Sequence, residues 1–322
     1  MLEPKVTILL ATYNPDILWL KELLSSLNRQ NYSNVELLAC DDCSSTIGIN
    51  DLKTIIQQHI TKFPFKVIRN QTNLGSNKTF ERLTLEAEGD YLAYCDQDDI
   101  WEENKISGLV EAMLEKKGLL AYSDMSIIDA DGKHVSESIT KVRSRFDYFE
   151  GLELWRRILI RNFISGCCMI IDAKIAKAAI PFELGMQHDR WLAVCASVNG
   201  TIAYVDKPLV RYRQHGENQT GVLKAITDKN SYRELRLRNH VLMLESIRSR
   251  FSGHQALTEF LDEYIEQVRI RYDYSLGKRG AFFKMLRLTK YNKPTLFFEI
   301  IAFKLPESAF KKLIGLIIRK NL

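Results

Sequence analysis

Tyr91-Leu92-Ala93-Tyr94-Cys95-Asp96-Gln97-Asp98-Asp99-Ile100-Trp101 is the stretch on which the fold turns. Residues 91–95 read as a short strand buried on both faces, and the chain then runs straight into three carboxylates within four residues. Carboxylates so close repel one another, and the repulsion is relieved by a divalent cation or by solvent. A hard cation such as Mg²⁺ or Mn²⁺ takes oxygen ligands, commonly one or two carboxylates together with substrate phosphates. The plain alternative is a solvated acidic turn or helix start, where Asp is at home.

Toward the N-terminus the same alternation of strand and polar end repeats. Residues 6–10, 35–40 and 65–68 have strand character. Between them, Ile17, Leu20, Leu23, Leu24 and Leu27 form one helical stripe after Pro15, and residues 49–62 and 75–88 have helical periodicity. Such alternation predicts an α/β fold with a parallel sheet, and ligands in open α/β sheets bind beyond the carboxyl ends of the strands. Those ends carry Thr12-Tyr13-Asn14, Asp41-Asp42, Asn73-x-Gly75 and Asp96-Gln97-Asp98-Asp99. Four polar clusters from distant sequence are therefore expected on one edge. Later strands are expected at 119–123, 168–171, 201–205 and 209–212, with a helix opening near Asp189. From about Leu223 the pattern is helical and charged, which places a domain boundary near Gly221, with domains 1–221 and 222–322.

In order along the chain stand Ala11-Thr12-Tyr13-Asn14, Cys40-Asp41-Asp42-Cys43-Ser44, Asn73-Leu74-Gly75 and the acidic stretch ending in Trp101. Ser165-Gly166-Cys167-Cys168, Gln187-His188-Asp189-Arg190-Trp191 and Tyr212-Arg213-Gln214-His215-Gly216-Glu217-Asn218 follow. In these motifs the sequence resembles the family 2 glycosyltransferases, inverting enzymes with the GT-A fold, and in particular their bacterial rhamnosyltransferase-like members. The resemblance covers about residues 5 to 220. It implies a Rossmann-like nucleotide-diphospho-sugar transferase domain, here followed by a mainly helical C-terminal extension.

The resemblance also implies roles. Tyr13 would stack on a pyrimidine and Asp42 would accept its N3 proton, with Thr12, Asn73, Gly75 and Asp96 completing the nucleotide-sugar site. Asp98 would ligate Mn²⁺ or Mg²⁺, and His215 would reach the metal or the diphosphate. Asp189 would be the base that deprotonates the acceptor hydroxyl, and Gly166, His188 and Trp191 would line the acceptor or sugar pocket. Each role has a plain counterpart: a core aromatic for Tyr13, a turn or helix cap for Asp42 and Asp189, core filling for Trp191. Two departures stand out. Thr46-Ile47 occupies the place of an acidic residue that commonly follows the Asp-Asp-x-Ser loop, and Arg190 replaces an aromatic residue, a change expected to alter acceptor choice. A non-catalytic nucleotide-sugar-binding module would keep Tyr13 and Asp42 without needing Asp98 and Asp189 together. A dinucleotide oxidoreductase would need Gly-x-Gly-x-x-Gly where Ala11-Thr12-Tyr13-Asn14-Pro15 has no glycine. The donor expected from the resemblance is dTDP-L-rhamnose, with UDP-hexoses as the alternative, and the acceptor a saccharide, lipid-linked where the tail serves as a membrane address.

Composition sets the remaining bounds. The 322 residues are 46% hydrophobic and 26% charged, ordinary for a globular protein. No basic region precedes a long apolar run at the start, and no stretch reaches the roughly 18 apolar residues of a membrane span. A cytoplasmic protein, peripheral on the inner face of the cell membrane, is expected. The six cysteines lie among strand-like segments, which suits reduced, buried thiols. From Lys278 onward eleven Lys/Arg face only Glu299 and Glu307, a net of +9 in a chain of +5, so the body carries −4. Apolar residues interleave with these cations, a pattern of helices lying on a membrane surface. A helical appendage packed on the body or a homodimer interface is the other reading, and nucleic acid is not expected, since no binding motif accompanies the charge.

Overall fold

Val6–Thr12 (β1) is apolar on both faces and lies at the centre of a parallel group, as a strand buried on both sides should. The computed structural model describes residues 3–143, 146–216, 225–287 and 293–320. By its internal contacts the chain divides into two compact units, Met1–Phe182 with Gln187–His215, and Glu183–Met186 with Gly216–Leu322. The boundary expected at Gly221 lies outside the described residues.

In the first unit β1 is followed by α1 (Ile17–Asn28), β2 (Val35–Asp41), α2 (Ile49–His59), β3 (Phe65–Arg69), α3 (Ser76–Glu86) and β4 (Tyr91–Cys95). Then come β5 (Ile100–Trp101), α4 (Lys105–Glu115), β6 (Gly118–Ile128), β7 (His134–Ser136), α5 (Ile139–Val142), α6 (Trp155–Ile160), a 3₁₀ turn (Gly166–Cys168), β8 (Met169–Asp172), α7 (Ala173–Ala178), α8 (His188–Asn199) and β9 (Thr201–Arg213). The sheet order is β3-β2-β1-β4-β8-β6-β9-β5, with β7 on β6. β3, β2, β1 and β4 are parallel, whereas β8 runs antiparallel to both β4 and β6. The sheet is thus mixed, and the parallel arrangement holds for the first hundred residues that predicted it.

Register decides where the polar ends fall. Thr12 pairs with Asp41 and Leu10 with Cys95, so the segments after β1, β2 and β4 leave the sheet at one edge. β5 then pairs with β9, Ile100 opposite Arg211, which carries the chain beyond Asp98 alongside the end of β9. β9 is one strand of 13 residues where two short strands were expected. Asp206-Lys207-Pro208 reads as a break, but its pairing with β6 continues through a register shift at Ser123 and Asp124, the kind of irregularity in which a strand tolerates proline.

α1 starts where Asp16 accepts hydrogen bonds from the amides of Leu18 and Trp19, at 2.8 and 3.1 Å, and its buried face is Leu20, Leu23, Leu24 and Leu27. Each such leucine contributes about 1.5–3 kcal/mol of burial. The second unit is helical: α9 (Lys229–Ser231) continues through a π-helical stretch (Tyr232–Arg238) into α10 (Asn239–Arg250), followed by α11 (Gln255–Ser275), α12 (Ala281–Arg287), α13 (Lys293–Lys304) and α14 (Glu307–Lys320). Ile270, Met285 and Leu296 form a small core there. Among the described residues no helix is long and apolar enough to cross a membrane.

Candidate active site

The loops at the carboxyl edge are stitched together by hydrogen bonds between distant segments. The Tyr13 amide donates to Gln97 Oε1 at 2.8 Å and Gln97 Nε2 donates back to the Tyr13 carbonyl at 3.1 Å, so the first loop is fixed to the acidic one. Tyr13 remains 47% exposed, which rules out its use as a core aromatic. Asn14, at φ 43°, accepts from the amides of Ser45 and Thr46 at 2.8 and 3.1 Å and ties that loop to the second. Thr12 is 1% exposed, and its carbonyl accepts the Asp42 amide at 2.7 Å. Thr12 thus ties the end of β1 to the second loop through its backbone, with its side chain buried.

Asp41 and Asp42 divide the work of the second loop. Asp41 is buried and pairs with Arg69 at 2.9 Å while Ser44 donates to it from both amide and hydroxyl. Asp42 accepts from Asn70 Nδ2 at 2.7 Å and from the amides of Leu74 and Gly75 at 2.8 Å each. A carboxylate has about four acceptor positions, so about one remains for a ligand. Gly75 stands at φ 80°, ψ 161°, a region open to glycine, and caps the start of α3, while Asn73 Oδ1 also accepts the Gly75 amide at 3.0 Å.

At the centre, His215 Nε2 lies 2.7 Å from Asp98 Oδ2, with both side chains mostly covered. The Trp19 ring sits 4.7 Å from the His215 ring. Carboxylate oxygen and imidazole nitrogen are both donors that Mn²⁺ accepts, so the residues present fit a divalent cation. Asp96 is held above the usual carboxylate range by burial and by the neighbouring charges of Asp98 and Asp189, which puts three carboxylates within electrostatic reach of one another. Asp189 is raised by burial to about 6, against hydrogen bonds from the amides of Arg190 and Gly166 that act to lower it. Gln187, not Asp189, occupies the N-cap of α8.

Asp96, Asp99 and Cys167 also converge, each offering an atom within 4.8 Å of the others. A fully buried Lys105 lies against this group: its Nζ donates to the Cys167 carbonyl and stands 2.9 Å from the centre of the Trp101 ring. Burial lowers the Lys105 ammonium to about 8, and Asp99 acts in the opposite direction. Asp99 accepts the Arg213 amide at 3.1 Å, and burial holds its carboxyl well above the ordinary value.

Arg213 is the part that sequence reasoning left without a role. Only 1% exposed, it donates from Nε to the Asp98 carbonyl at 2.9 Å, from Nη1 to the Ala130 carbonyl at 3.1 Å, and from Nη2 to Glu22. It fixes the backbone of the acidic loop two residues ahead of His215. Its presence in the quoted Tyr-Arg-Gln-His segment was the available signal. Gln97 stood inside the quoted acidic stretch, whereas Lys105 and Trp19 had no signal beyond their place near the motifs.

The expected acceptor wall is partly corrected. Trp191 is 0% exposed and its indole donates to the Ala179 carbonyl at 2.8 Å, so it fills the core and offers no face to a sugar. His188 packs against Phe80 and Tyr94, at 4.2 and 5.3 Å between ring centres, and burial lowers it to about 3, so the ring is neutral. A Cβ on Gly166 would fall 2.7 Å from His188 Nε2, so only glycine allows the turn to lie on the ring and its amide to reach Asp189. Arg190 donates from Nε and Nη2 to the carbonyls of Ile158 and Leu159, at 2.9 and 2.6 Å. It ties α8 to the end of α6, a structural use where an effect on acceptor choice was expected.

The sequence profile of glycosyl transferase family 2 matches residues 7–177, more than half of the chain and every element from β1 to β8. The chain belongs to that family. Family 2 membership agrees with likeness to two bacterial proteins. The dTDP-rhamnosyl transferase RfbG of Shigella flexneri is 27% identical over 238 residues, 71% of this chain and 78% of RfbG. TuaG of Bacillus subtilis, a glycosyltransferase assigned to teichuronic acid biosynthesis, is 29% identical over 150 residues, 43% of this chain and 56% of TuaG. The crystal structure of S. aureus TarS 1-349 in complex with UDP-GlcNAc superposes with a TM-score of 0.59 at 20% identity, over 98% of this chain and 88% of that one. The fold is therefore α/β of GT-A type with a helical C-terminal region, and the protein is a glycosyltransferase.

Proposed function

We propose that this transferase is inverting and metal-dependent, with Asp98 and His215 holding the cation and Asp189 acting as the base. The observation that carries this reading is the convergence of Asp98, His215, Asp96 and Asp189 from β4, β9 and α8 at one sheet edge. A divalent cation bound there would neutralise charge on a departing diphosphate. The chain's own residues do the rest. Tyr13 presents an exposed ring to a nucleobase and Asp42 keeps about one acceptor position for its N3 proton, while the turn at Asn73 and Gly75 borders the nucleotide. Asp189, with a carboxyl near 6, is ionised at neutral pH yet basic enough to take a proton from an acceptor hydroxyl, and the Gly166 amide aims it. Direct displacement with the base opposite the leaving group inverts the anomeric centre.

The donor read here is dTDP-L-rhamnose, supported by the identity to RfbG, and the acceptor a saccharide, lipid-linked, in bacterial surface polysaccharide synthesis, supported by RfbG and TuaG. Residues 1–221 would form the catalytic domain and 222–322 an extension that holds the enzyme at the inner face of the membrane. The test is a panel of dTDP-L-rhamnose, UDP-GlcNAc and other UDP-hexoses with Mn²⁺ or Mg²⁺, scored by nucleotide diphosphate release with and without a lipid-linked acceptor. Release from dTDP-L-rhamnose alone supports the reading; release only from UDP-sugars replaces the donor, and binding of a donor without turnover would favour a non-catalytic module.

A further inference from the structure

Residues 276–304 contain seven Lys/Arg and one acid, Glu299. That acid does not oppose the cations at the surface, because it is 1% exposed and held by Arg271 through two hydrogen bonds of 2.6 and 2.7 Å, with Tyr232 Oη donating at 2.8 Å. The exposed, described side chains of α12 and α13 therefore include basic and large apolar groups and no acid. On α12, Phe283 and Leu286 are 70% and 47% exposed, with Arg287 exposed beside them. On α13, Phe297 and Ile301 are 57% and 59% exposed and share one face with Lys304, at spacings of four and three residues. The two faces adjoin: Lys304 Nζ lies 4.9 Å from the Phe282 ring of α12. Meanwhile Met285 and Leu296 point into the unit's core, so the outward side chains are not there for want of space inside.

Large apolar side chains left outside need a partner that accepts hydrocarbon, and the cations between them need one that supplies anions. A second copy of this chain meets the first need only, since a two-fold contact through this face would set Arg287 and Lys304 against their own kind. A bilayer of anionic lipid meets both, with Phe and Ile entering the acyl boundary and Lys and Arg stems extending to phosphate. We infer that the α12–α13 face is a docking surface for anionic lipid, seated through Phe283, Leu286, Phe297 and Ile301 and ringed by Arg287 and Lys304.

The experiment is co-sedimentation of the full chain with vesicles of phosphatidylcholine alone or mixed with phosphatidylglycerol. Binding is expected only to the mixed vesicles, falling as salt is raised. Phe297→Ser with Ile301→Ser, and separately Arg287→Glu with Lys304→Glu, should each weaken it by roughly tenfold or more. All four side chains are at the surface, circular dichroism checks each variant, and the charge-reversal pair still reads out if the apolar pair does not fold. No binding by the parent chain, or equal binding by a folded variant, overturns the inference. So does a dimer in light scattering that the same substitutions dissolve without changing vesicle binding. Sedimentation requires no turnover, so vesicle binding by a chain inactive on every donor would sink the catalytic reading and leave this one standing.

Discussion

Replacing Asp189 by Asn separates catalysis from stability in one variant. The folded carboxyl titrates at about 6 against an ordinary value of 3.8, because burial disfavours its charge. The shift of about two pH units corresponds to about 3 kcal/mol, at about 1.4 kcal/mol per unit. The sign follows from proton uptake: between these two values the folded chain keeps a proton that the unfolded chain has released, so the parent protein loses stability as pH rises through that window. Asn cannot ionise and is spared the loss. Urea unfolding should therefore show the difference between variant and parent moving in the variant's favour by up to about 3 kcal/mol between pH 4 and pH 7.5. A constant offset, from weakened bonds to the Gly166 and Arg190 amides, leaves that pH dependence untouched. Transfer to the acceptor should fall by roughly 10² to 10⁴. In the parent chain kcat/KM should drop about tenfold per pH unit below about 6 and level off above it. A variant that keeps more than a tenth of parental activity removes Asp189 as the base, and a stability difference that does not move with pH contradicts its raised carboxyl.

Other perturbations act through different groups. His215→Ala should raise the Mn²⁺ concentration for half-maximal activity by roughly tenfold or more, beyond any loss of stability from the Trp19 contact seen in thermal unfolding; an unchanged metal titration would remove His215 from the cation. Gly166→Ala places a Cβ 2.7 Å from His188 Nε2, and an overpacking cost of about 1–3 kcal/mol should appear in urea unfolding together with a loss of activity. Gly75→Ala meets no neighbour, so its cost of about 1–3 kcal/mol comes from the backbone alone, measured as a lower Tm. Arg213→Met abandons the Asp98 and Ala130 carbonyls in a buried setting and should cost about 2–4 kcal/mol, whereas Arg213→Lys should recover only part of it.

The site was legible where chemistry sits at the end of a strand. An apolar run followed by Asp96, or by Thr12-Tyr13-Asn14, marks both the element and the edge, because strand period and polar end are local properties. Direction and depth were less legible. Trp191 beside Asp189 suggested a sugar floor, yet Leu192, Ala193, Val194, Cys195 and Ala196 are buried with it. A helix apolar all round is a core helix, and that signal was present in the sequence. Arg190 and Lys105 could not be placed from sequence, since their partners are the carbonyls of Ile158, Leu159 and Cys167, and any residue type carries a carbonyl. The length of β9 was hidden for a related reason: Pro208 breaks a strand only if its neighbour requires an amide there, and β6 does not.

With Asp42 and Tyr13 in the base-binding roles proposed above, the threefold grip of Asp42 on Asn70, Leu74 and Gly75 bears on how such an enzyme could change its preferred base. Any exchange of that carboxylate, by drift or by design, would unmoor the turn that opens α3 before it altered selectivity. Variation in base preference should then accumulate at Tyr13, whose ring stands clear of the scaffold, and engineers retuning this pocket have most freedom to begin there.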